Sequence, residues 1–166
     1  MSYVDLATIH SPSTGAVAPA AWGTQIRTNQ EFLIDVPACS VFNSAAQTIA
    51  TGITNVILTA DSENYDNDAM HSTVTNNTRI TFQTPGRYEV GATVDWAAVS
   101  TTISDFRTLN ILLNGTTGFN IHQGPGHSGG PSGSSYSGSR TLTVVASDYV
   151  EIRVRQNSGG NLDVTL

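Results

Sequence analysis

Two patterns in a glycine-rich stretch, residues 123–138, resemble catalytic or cofactor motifs. Residues 126–130, Gly-His-Ser-Gly-Gly, match G-x-S-x-G, which exposes a nucleophilic serine where a strand turns sharply into a helix. Gly124, Gly126 and Gly129 have the G-x-G-x-x-G spacing, which needs a helix N-terminus to hold a pyrophosphate. No helical pattern follows either motif. We therefore expect a surface loop here, no enzymatic activity and no cofactor.

A possible metal site lies in the densest acidic cluster of the chain, which consists of Asp61, Glu63, Asp66 and Asp68. Calcium takes several oxygen ligands from such segments. The cluster nevertheless lacks the glycine and the closing glutamate of an EF-hand loop. Two interpretations remain open, a solvated acidic loop and a structural calcium site. The four histidines are scattered over different segments and predict no shared metal site.

Composition narrows the classes of partner. The chain has 166 residues, a net charge of -6 and only 12% charged residues, and every basic residue is an arginine. Binding of nucleic acid, or of an anionic membrane surface, requires clustered basic residues, so we expect neither partner. Cys39 is the single cysteine and cannot form a disulfide within the chain. No secretory signal or membrane span is recognisable, and we expect assembly in a cytoplasm.

Residues 1–38 differ from the rest and are expected to form an attachment arm. Residues 10–21 are rich in Pro, Ser, Gly and Ala, which favours an extended lead. A short amphipathic helix is predicted after Pro19, and Val36-Pro37 should end it. Its apolar side chains are Trp22, Ile26, Phe32 and Leu33. Because so short a helix is unstable alone in water, this side must pack either on its own domain or on another protein.

Residues 39–166 change from helical periodicity to the alternation of β-strands. In residues 87–96, Tyr88, Val90, Val94 and Trp96 share one face while charged and small residues occupy the other. Residues 108–114 repeat the pattern and end at Asn114-Gly115, a hairpin signal. The apolar residues expected in the core or at a subunit interface are Tyr88, Val90, Val94, Trp96, Leu109, Ile111 and Leu113. The spacing predicts an all-β jelly-roll sandwich of about 8–10 antiparallel strands.

Five short segments occur in the order typical of one superfamily. They are Asp-Ser-Glu-Asn-Tyr-Asp at 61–66, Ile-Thr-Phe at 80–82 leading into Thr-Pro-Gly-Arg-Tyr at 84–88, Leu-Leu-Asn-Gly at 112–115, Leu-Thr-Val at 142–144, and Ser-Asp-Tyr-Val-Glu-Ile at 147–152. Over residues 39–162 the chain thereby resembles the globular domains of the complement-1q and tumour-necrosis-factor superfamily. The resemblance implies a jelly roll and a homotrimer. Ser147 stands where the family usually has glycine, and the last strand is expected to be abbreviated or completed by a neighbouring chain.

The arm carries a second resemblance. Residues 14–15 (Thr-Gly), 18–23 (Ala-Pro-Ala-Ala-Trp-Gly), 26–27 (Ile-Arg) and 29–33 (Asn-Gln-Glu-Phe-Leu) are similar to the opening of many small virion proteins of tailed bacteriophages. This similarity implies a structural protein on the surface of a phage particle, assembled in the host cytoplasm.

Two functions remain open on these grounds. The first is a trimeric capsid decoration or head-fibre protein that binds a capsid or tail protein through residues 1–38, with Trp22, Ile26, Phe32 and Leu33 as anchors. Three arms on one trimer would bind with avidity well above that of a single arm. The second is a tail-associated adhesin that recognises a host surface receptor, for which the glycine-rich stretch would be the recognition loop. Tyr136 is its only aromatic residue, which is a poor basis for stacking on sugars.

Overall fold

A computed structural model describes residues 20–52, 54–98, 106–125 and 133–166. These contain one helix, α1 (Ala20–Ile34), and the following strands: β1 (Cys39–Phe42), β2 (Gln47–Ile49), β3 (Val56–Ile57), β4 (Ser62–Asp66), β5 (Arg79–Thr81), β6 (Gly86–Trp96), β7 (Phe106–Leu113), β8 (Thr117–Pro125), β9 (Ser134–Val144), β10 (Tyr149–Gln156) and β11 (Leu162–Thr165).

Eight of the strands are wound as a jelly roll. One sheet has the order β2-β11-β6-β9, and the other has the order β3-β10-β7-β8 with β5 also paired to β10. The first of these eight strands therefore pairs with the last, the second with the seventh, the third with the sixth and the fourth with the fifth. All four pairs are antiparallel. This nested pairing defines the jelly roll, and it confirms the predicted fold class.

The core lies between the two sheets and follows the alternation of the strands. Along β6, Val90, Val94 and Trp96 are buried and Ala92 is half-buried on the same face, while Gly91, Thr93 and Asp95 between them are exposed. Leu109 and Ile111 of β7 meet them from the opposite sheet and have no exposed surface. Burial of such apolar side chains away from water supplies most of the stability of a sandwich. Tyr88 and Leu113 are half-buried and pack against the same core.

The hairpin between β7 and β8 confirms the turn that Asn114-Gly115 predicts. Both residues have positive φ, 51° and 69°, and the N–H of Thr116 donates to the carbonyl of Leu113. Positive φ at both central residues is the type I′ geometry, whose twist matches that of paired strands. Asn114 also holds the neighbouring turn, because its side chain donates to Asp148 and accepts from the N–H of Tyr149.

The prediction of a long glycine-rich loop is wrong at both of its ends. Residues 123–125 belong to β8 and residues 134–138 to β9, so Gly124 lies on a strand. Residues 126–132, which hold the rest of the two glycine motifs, lie outside the described part. The glycines mark a close approach of backbones: a Cβ on Gly138 would lie 2.4 Å from the carbonyl oxygen of Ile121. Glycine inside a strand often has this role, which composition does not distinguish from a loop.

Candidate attachment and binding surfaces

Helix α1 leaves part of its apolar surface uncovered. Leu33 is 70% exposed and Ile34 is 85% exposed, and Val36, just after the helix, is 53% exposed. Trp22 and Ile26 are half-buried. Phe32 is also half-buried and lines a cleft in the β-domain. Phe32 therefore turns to its own domain, whereas Leu33 and Ile34 face away from it, so packing on the protein's own domain covers only part of the apolar side of the helix.

One side chain, Asn67, fastens the end of the helix to the β-domain. Its amide nitrogen donates to Asp35 Oδ1 (2.6 Å) and to the carbonyl of Val36 (2.8 Å). Its amide oxygen accepts from the N–H of Ala38 (2.7 Å), and its own N–H donates to the carbonyl of Ala38. We call residues 35–38 together with Asn67 the joint. It sets the direction in which the helix leaves the domain. The joint could not be predicted from the sequence, because an asparagine in a loop can make many different hydrogen bonds.

All four acidic candidates for calcium binding interact with other groups of the protein, and Glu63 and Asp66 both contact His71. Asp61 accepts from the N–H and hydroxyl of Ser44 at 2.7 Å each, and these hydrogen bonds lower the pKa of its carboxyl group. Glu63 contacts Nδ1 of His71 at 2.8 Å. Asp66 accepts from three backbone N–H groups, those of Asp68, Met70 and His71, and so shapes the turn after β4.

The four carboxylates do not come together as a cluster that could coordinate calcium. Within the residues that the structure describes, no three His, Cys, Asp or Glu side chains come together as a metal site would require. Glu63 and Asp66 lie on β4, a strand that the sequence had suggested to be a loop. Both carboxylates act on Cys39, which lies on the paired strand β1. Burial, together with the charges of Asp66 and Glu63, raises the pKa of the Cys39 thiol to about 12. A thiol of this kind is a weak nucleophile and a weak ligand.

The edges of the two sheets meet in a seam between β8 and β9. The rings of His122 and Tyr136 stack with centroids 4.3 Å apart. Nδ1 of His122 lies 3.0 Å from the carbonyl oxygen of Ser137, and the hydroxyl of Tyr136 donates to the carbonyl of Pro125 (2.8 Å). Tyr136 is 5% exposed. It is therefore a structural residue and offers no aromatic surface to a sugar.

A buried arginine closes one end of the core. Arg107 is 1% exposed, and its guanidinium lies 5.4 Å from the centroid of the Trp96 ring and 3.3 Å from the hydroxyl of Ser134. It thus ties β7 to β6 and β9. The alternating pattern of residues 108–114 does not extend to Arg107, so a charged residue in the core could not be predicted from it. Arginine suits such a place because its planar group stacks on aromatic rings.

The seven apolar residues expected in the core or at an interface belong mainly to the core of the protomer. Five are buried there and Tyr88 and Leu113 are half-buried. The solvent face of the β6–β9 pair instead carries small and polar side chains, among them Gly91, Thr93, Ser137 and Ser139, interrupted by Arg87 and Glu89.

Helix α1, the one helix in the described residues, does not have the length and apolar content needed to cross a bilayer.

No family model matches the sequence, and no curated protein matches it. Among solved structures, the chain is similar to the globular domain of the zebrafish complement 1qA protein, with 16% identity and a TM-score of 0.45 over 78% of this chain and 93% of that chain. It is also similar to murine APRIL crystallised at pH 5.0, with 8% identity and a TM-score of 0.40 over 73% of this chain and 98% of that chain. At such low identities and TM-scores, neither structure indicates a ligand or an origin. The strand order itself identifies the domain as a jelly roll of the kind that the sequence predicted.

Proposed function

We propose that this protein is a non-enzymatic structural protein on the surface of a bacteriophage particle. It is a trimeric capsid decoration or head-fibre protein that attaches through residues 1–38. The observation that carries the proposal is the exposure of Leu33, Ile34 and Val36 at the point where the arm joins the domain. Apolar side chains left uncovered together at and just beyond the end of a short helix are typical of a docking surface.

The joint supports this role physically. Binding is stronger when a docking element is already oriented, because less conformational entropy is lost on association. Asn67 holds the chain at residues 35–38 through four hydrogen bonds, so the exposed side chains are presented in a fixed direction. Within a trimer, three such helices would engage a particle together and gain from avidity.

Self-association into a trimer follows from the resemblance noted for the sequence and is part of the proposal. Because the expected interface residues mostly lie inside the protomer, the contact between protomers must use other surfaces. The outer face of β6 and β9 carries exposed Gly, Ser and Thr residues apart from Arg87 and Glu89, and such small side chains allow close approach of a second sheet.

A paired substitution tests the attachment. The variant L33D/I34D replaces two exposed apolar residues of the helix, and the control V74D/V145D makes the same change at two exposed valines of the β-domain, 86% and 63% exposed. Both variants should fold and keep the mass of a trimer in light scattering, since none of the four side chains is buried. Each is then mixed with purified phage particles that lack this protein, and bound protein is counted after sedimentation.

We expect the control to bind at the wild-type copy number and L33D/I34D to lose at least nine-tenths of its binding. Equal binding of both variants would contradict attachment through the arm. A monomeric mass for the wild type would contradict the trimer. If a chain starting at Cys39 binds host cells and the full chain does not bind particles, the protein is an adhesin instead.

A further inference from the structure

The sheet β3-β10-β7-β8 turns one face to the core and the other outward. Leu109 and Ile111 of β7 lie in the core, so the even-numbered residues of this strand point outward. Residues that pair directly across antiparallel strands lie on the same side of a sheet. Arg153 and Arg155 of β10 are opposite even-numbered residues of β7 and therefore also point outward. We call the outer face of β10, β7 and β8 the arginine face.

The side chain of Arg153 extends across the arginine face. Its backbone is opposite Asn110 of β7, whereas its guanidinium lies against Gly118 of β8, the strand beyond. A Cβ on Gly118 would lie 3.1 Å from Cζ of Arg153 and still closer to Nη2, so the glycine leaves room for the guanidinium. Asn110 and Leu112 of the crossed strand point outward, yet they are only 8% and 5% exposed. Arg153 therefore lies flat over β7 and β8.

The positive charges of this face have no counterpart in the part of the chain that the structure describes. The Nε–H of Arg153 is buried there without a hydrogen-bond partner, and no described ion pair involves Arg153 or Arg155. Arg155 stacks on the ring of Phe106, with its Cζ 5.2 Å from the centroid. Glu151, the one acidic residue of these three strands, is paired with Arg79 (3.0 Å). Because a buried donor without a partner costs free energy, stability alone does not account for Arg153.

Four polar side chains of the arginine face are oriented by hydrogen bonds to one another. The amide nitrogen of Asn110 donates to Oγ1 of Thr108 (3.2 Å), and that of Asn120 donates to Oε1 of Gln123 (3.0 Å). A side-chain amide has two N–H donors and an oxygen with two lone pairs, so these bonds use only part of its hydrogen-bonding capacity. Groups that are oriented in advance lose less entropy when a ligand binds.

We propose that the arginine face binds an acidic saccharide, whose carboxylate pairs with the guanidinium of Arg153 and whose hydroxyl groups bond to the amides of β7 and β8. The planar fork of a guanidinium matches a carboxylate in a bidentate pair. Arg155, two residues along the same strand, raises the positive potential of the face. The net charge of the chain is -6, so a long polyanion such as nucleic acid would be repelled by the rest of the protein.

A saccharide fits this face better than an acidic peptide does. Protein and peptide partners obtain most of their binding energy from side chains that enter well-packed, desolvated pockets. The exposed large apolar residues of the described chain all lie outside β10, β7 and β8, and Leu112 is buried. A sugar hydroxyl both donates and accepts hydrogen bonds, as the amides here do. The site does not include residues 1–38 and lies on the sheet opposite to the face considered for trimer contact, so it goes beyond the proposed attachment.

The first test is calorimetric titration of the full chain at low ionic strength. The probe is the trisaccharide of galacturonic acid, and its control is the methyl ester of the same trisaccharide, which has no charge. We expect the acid to bind with a Kd in the millimolar range and the ester to bind at least tenfold more weakly. Equal binding of the two, or no binding of the acid, would overturn the proposal. If triglutamate binds as tightly as the acid, the partner is an acidic peptide and the saccharide is refuted.

Three variants locate the site. Arg153→Met keeps an apolar stem over β7 and removes the guanidinium, and its control Arg27→Met removes the same charge from α1, where the side chain is 71% exposed. Gly118→Ala changes no charge but displaces the guanidinium of Arg153.

We expect Arg153→Met to bind the acid at least tenfold more weakly, Gly118→Ala about fivefold more weakly, and Arg27→Met as the wild type does. Arg153→Met should also unfold at the same or a higher urea concentration, because its buried N–H without a partner is gone. Wild-type binding by Arg153→Met would overturn the proposal, and if this variant does not fold, wild-type binding by Gly118→Ala would do so. These measurements need no phage particle, so their outcome is independent of the attachment experiment.

Discussion

The substitution Gly138→Ala tests whether the segment at the seam between β8 and β9 is a β-strand or a solvent-exposed loop. In a solvent-exposed loop a methyl group at this position would be harmless. In the structure, a Cβ on Gly138 would lie 2.4 Å from the carbonyl oxygen of Ile121 and 3.1 Å from its Cβ. Real Cβ contacts are essentially never shorter than 3.0 Å and are ordinarily 3.4–4 Å. One of the two strands must therefore move by up to about 1 Å, a scale of strain typical of overpacked cores.

The cost can be worked out from the contacts at the seam. Overpacking of this kind costs about 1–3 kcal/mol. Movement of the strands also weakens the hydrogen bond from Tyr136 to Pro125 and the contact of His122 with Ser137. Each of these contributes about 1 kcal/mol to the free energy of unfolding. The lower entropy of alanine in the unfolded chain offsets about 0.4–1 kcal/mol. We expect a net loss of about 2–4 kcal/mol, which lowers the melting temperature by about 6–12 °C in a chain of this size.

The assay is urea and thermal unfolding followed by tryptophan fluorescence. The matched control is Gly23→Ala, the same chemical change in α1 where no atom lies within 4 Å of the new Cβ. The control should not destabilise the protein, because alanine is the better helix former. A Gly138→Ala variant that melts with the wild type would refute the close approach of β8 and β9, and with it the placement of residues 134–138 in a strand.

Three further predictions concern single side chains. The thiol of Cys39 has a pKa near 12 in the folded protein, compared with 9.0 for an ordinary cysteine. At pH 8 it should therefore be alkylated about a thousandfold more slowly in the folded protein than in the urea-unfolded chain. Equal alkylation rates in the two states would contradict its buried setting. Ser147 has a φ of 75°, so Ser147→Gly should add about 0.5–1 kcal/mol to the free energy of unfolding by relieving left-handed strain, and a loss of stability in urea would count against this. Hydrogen bonds from the N–H of Val145 and from Asn114 hold the pKa of Asp148 below 3.8, so its contribution to stability is complete above that value and is lost as the pH falls through the lowered pKa. Asp148→Asn should therefore flatten the acid dependence of the melting temperature, and an unchanged profile would disprove the linkage.

The strands that could be predicted from the sequence are those in which apolar and polar side chains alternate regularly. β6 and β7 were placed to within two residues of their ends, because apolar residues recur at every second position in each. β8 was missed because a bulge opposite Leu109 and Asn110 breaks its alternation. β4 was missed because its exposed acidic residues look like a solvated turn.

The candidate sites were less accessible to sequence reasoning because they depend on contacts between distant segments. The helix and its apolar residues were predicted, but which of them face outward depends on the joint at Asn67, about thirty residues along the chain.

The nested strand pairing has a consequence for biosynthesis. β2 finds its partner only in β11, and the hydroxyl of Thr48 bonds to the carboxylate of Asp163 across 115 residues. Pairing at this separation requires the closure of a long loop and slows folding. During translation, the sheet that contains β2 cannot be completed until the ribosome has released nearly the whole described chain. The innermost hairpin, β7–β8, has its partners within a few residues and is the natural place for folding to begin.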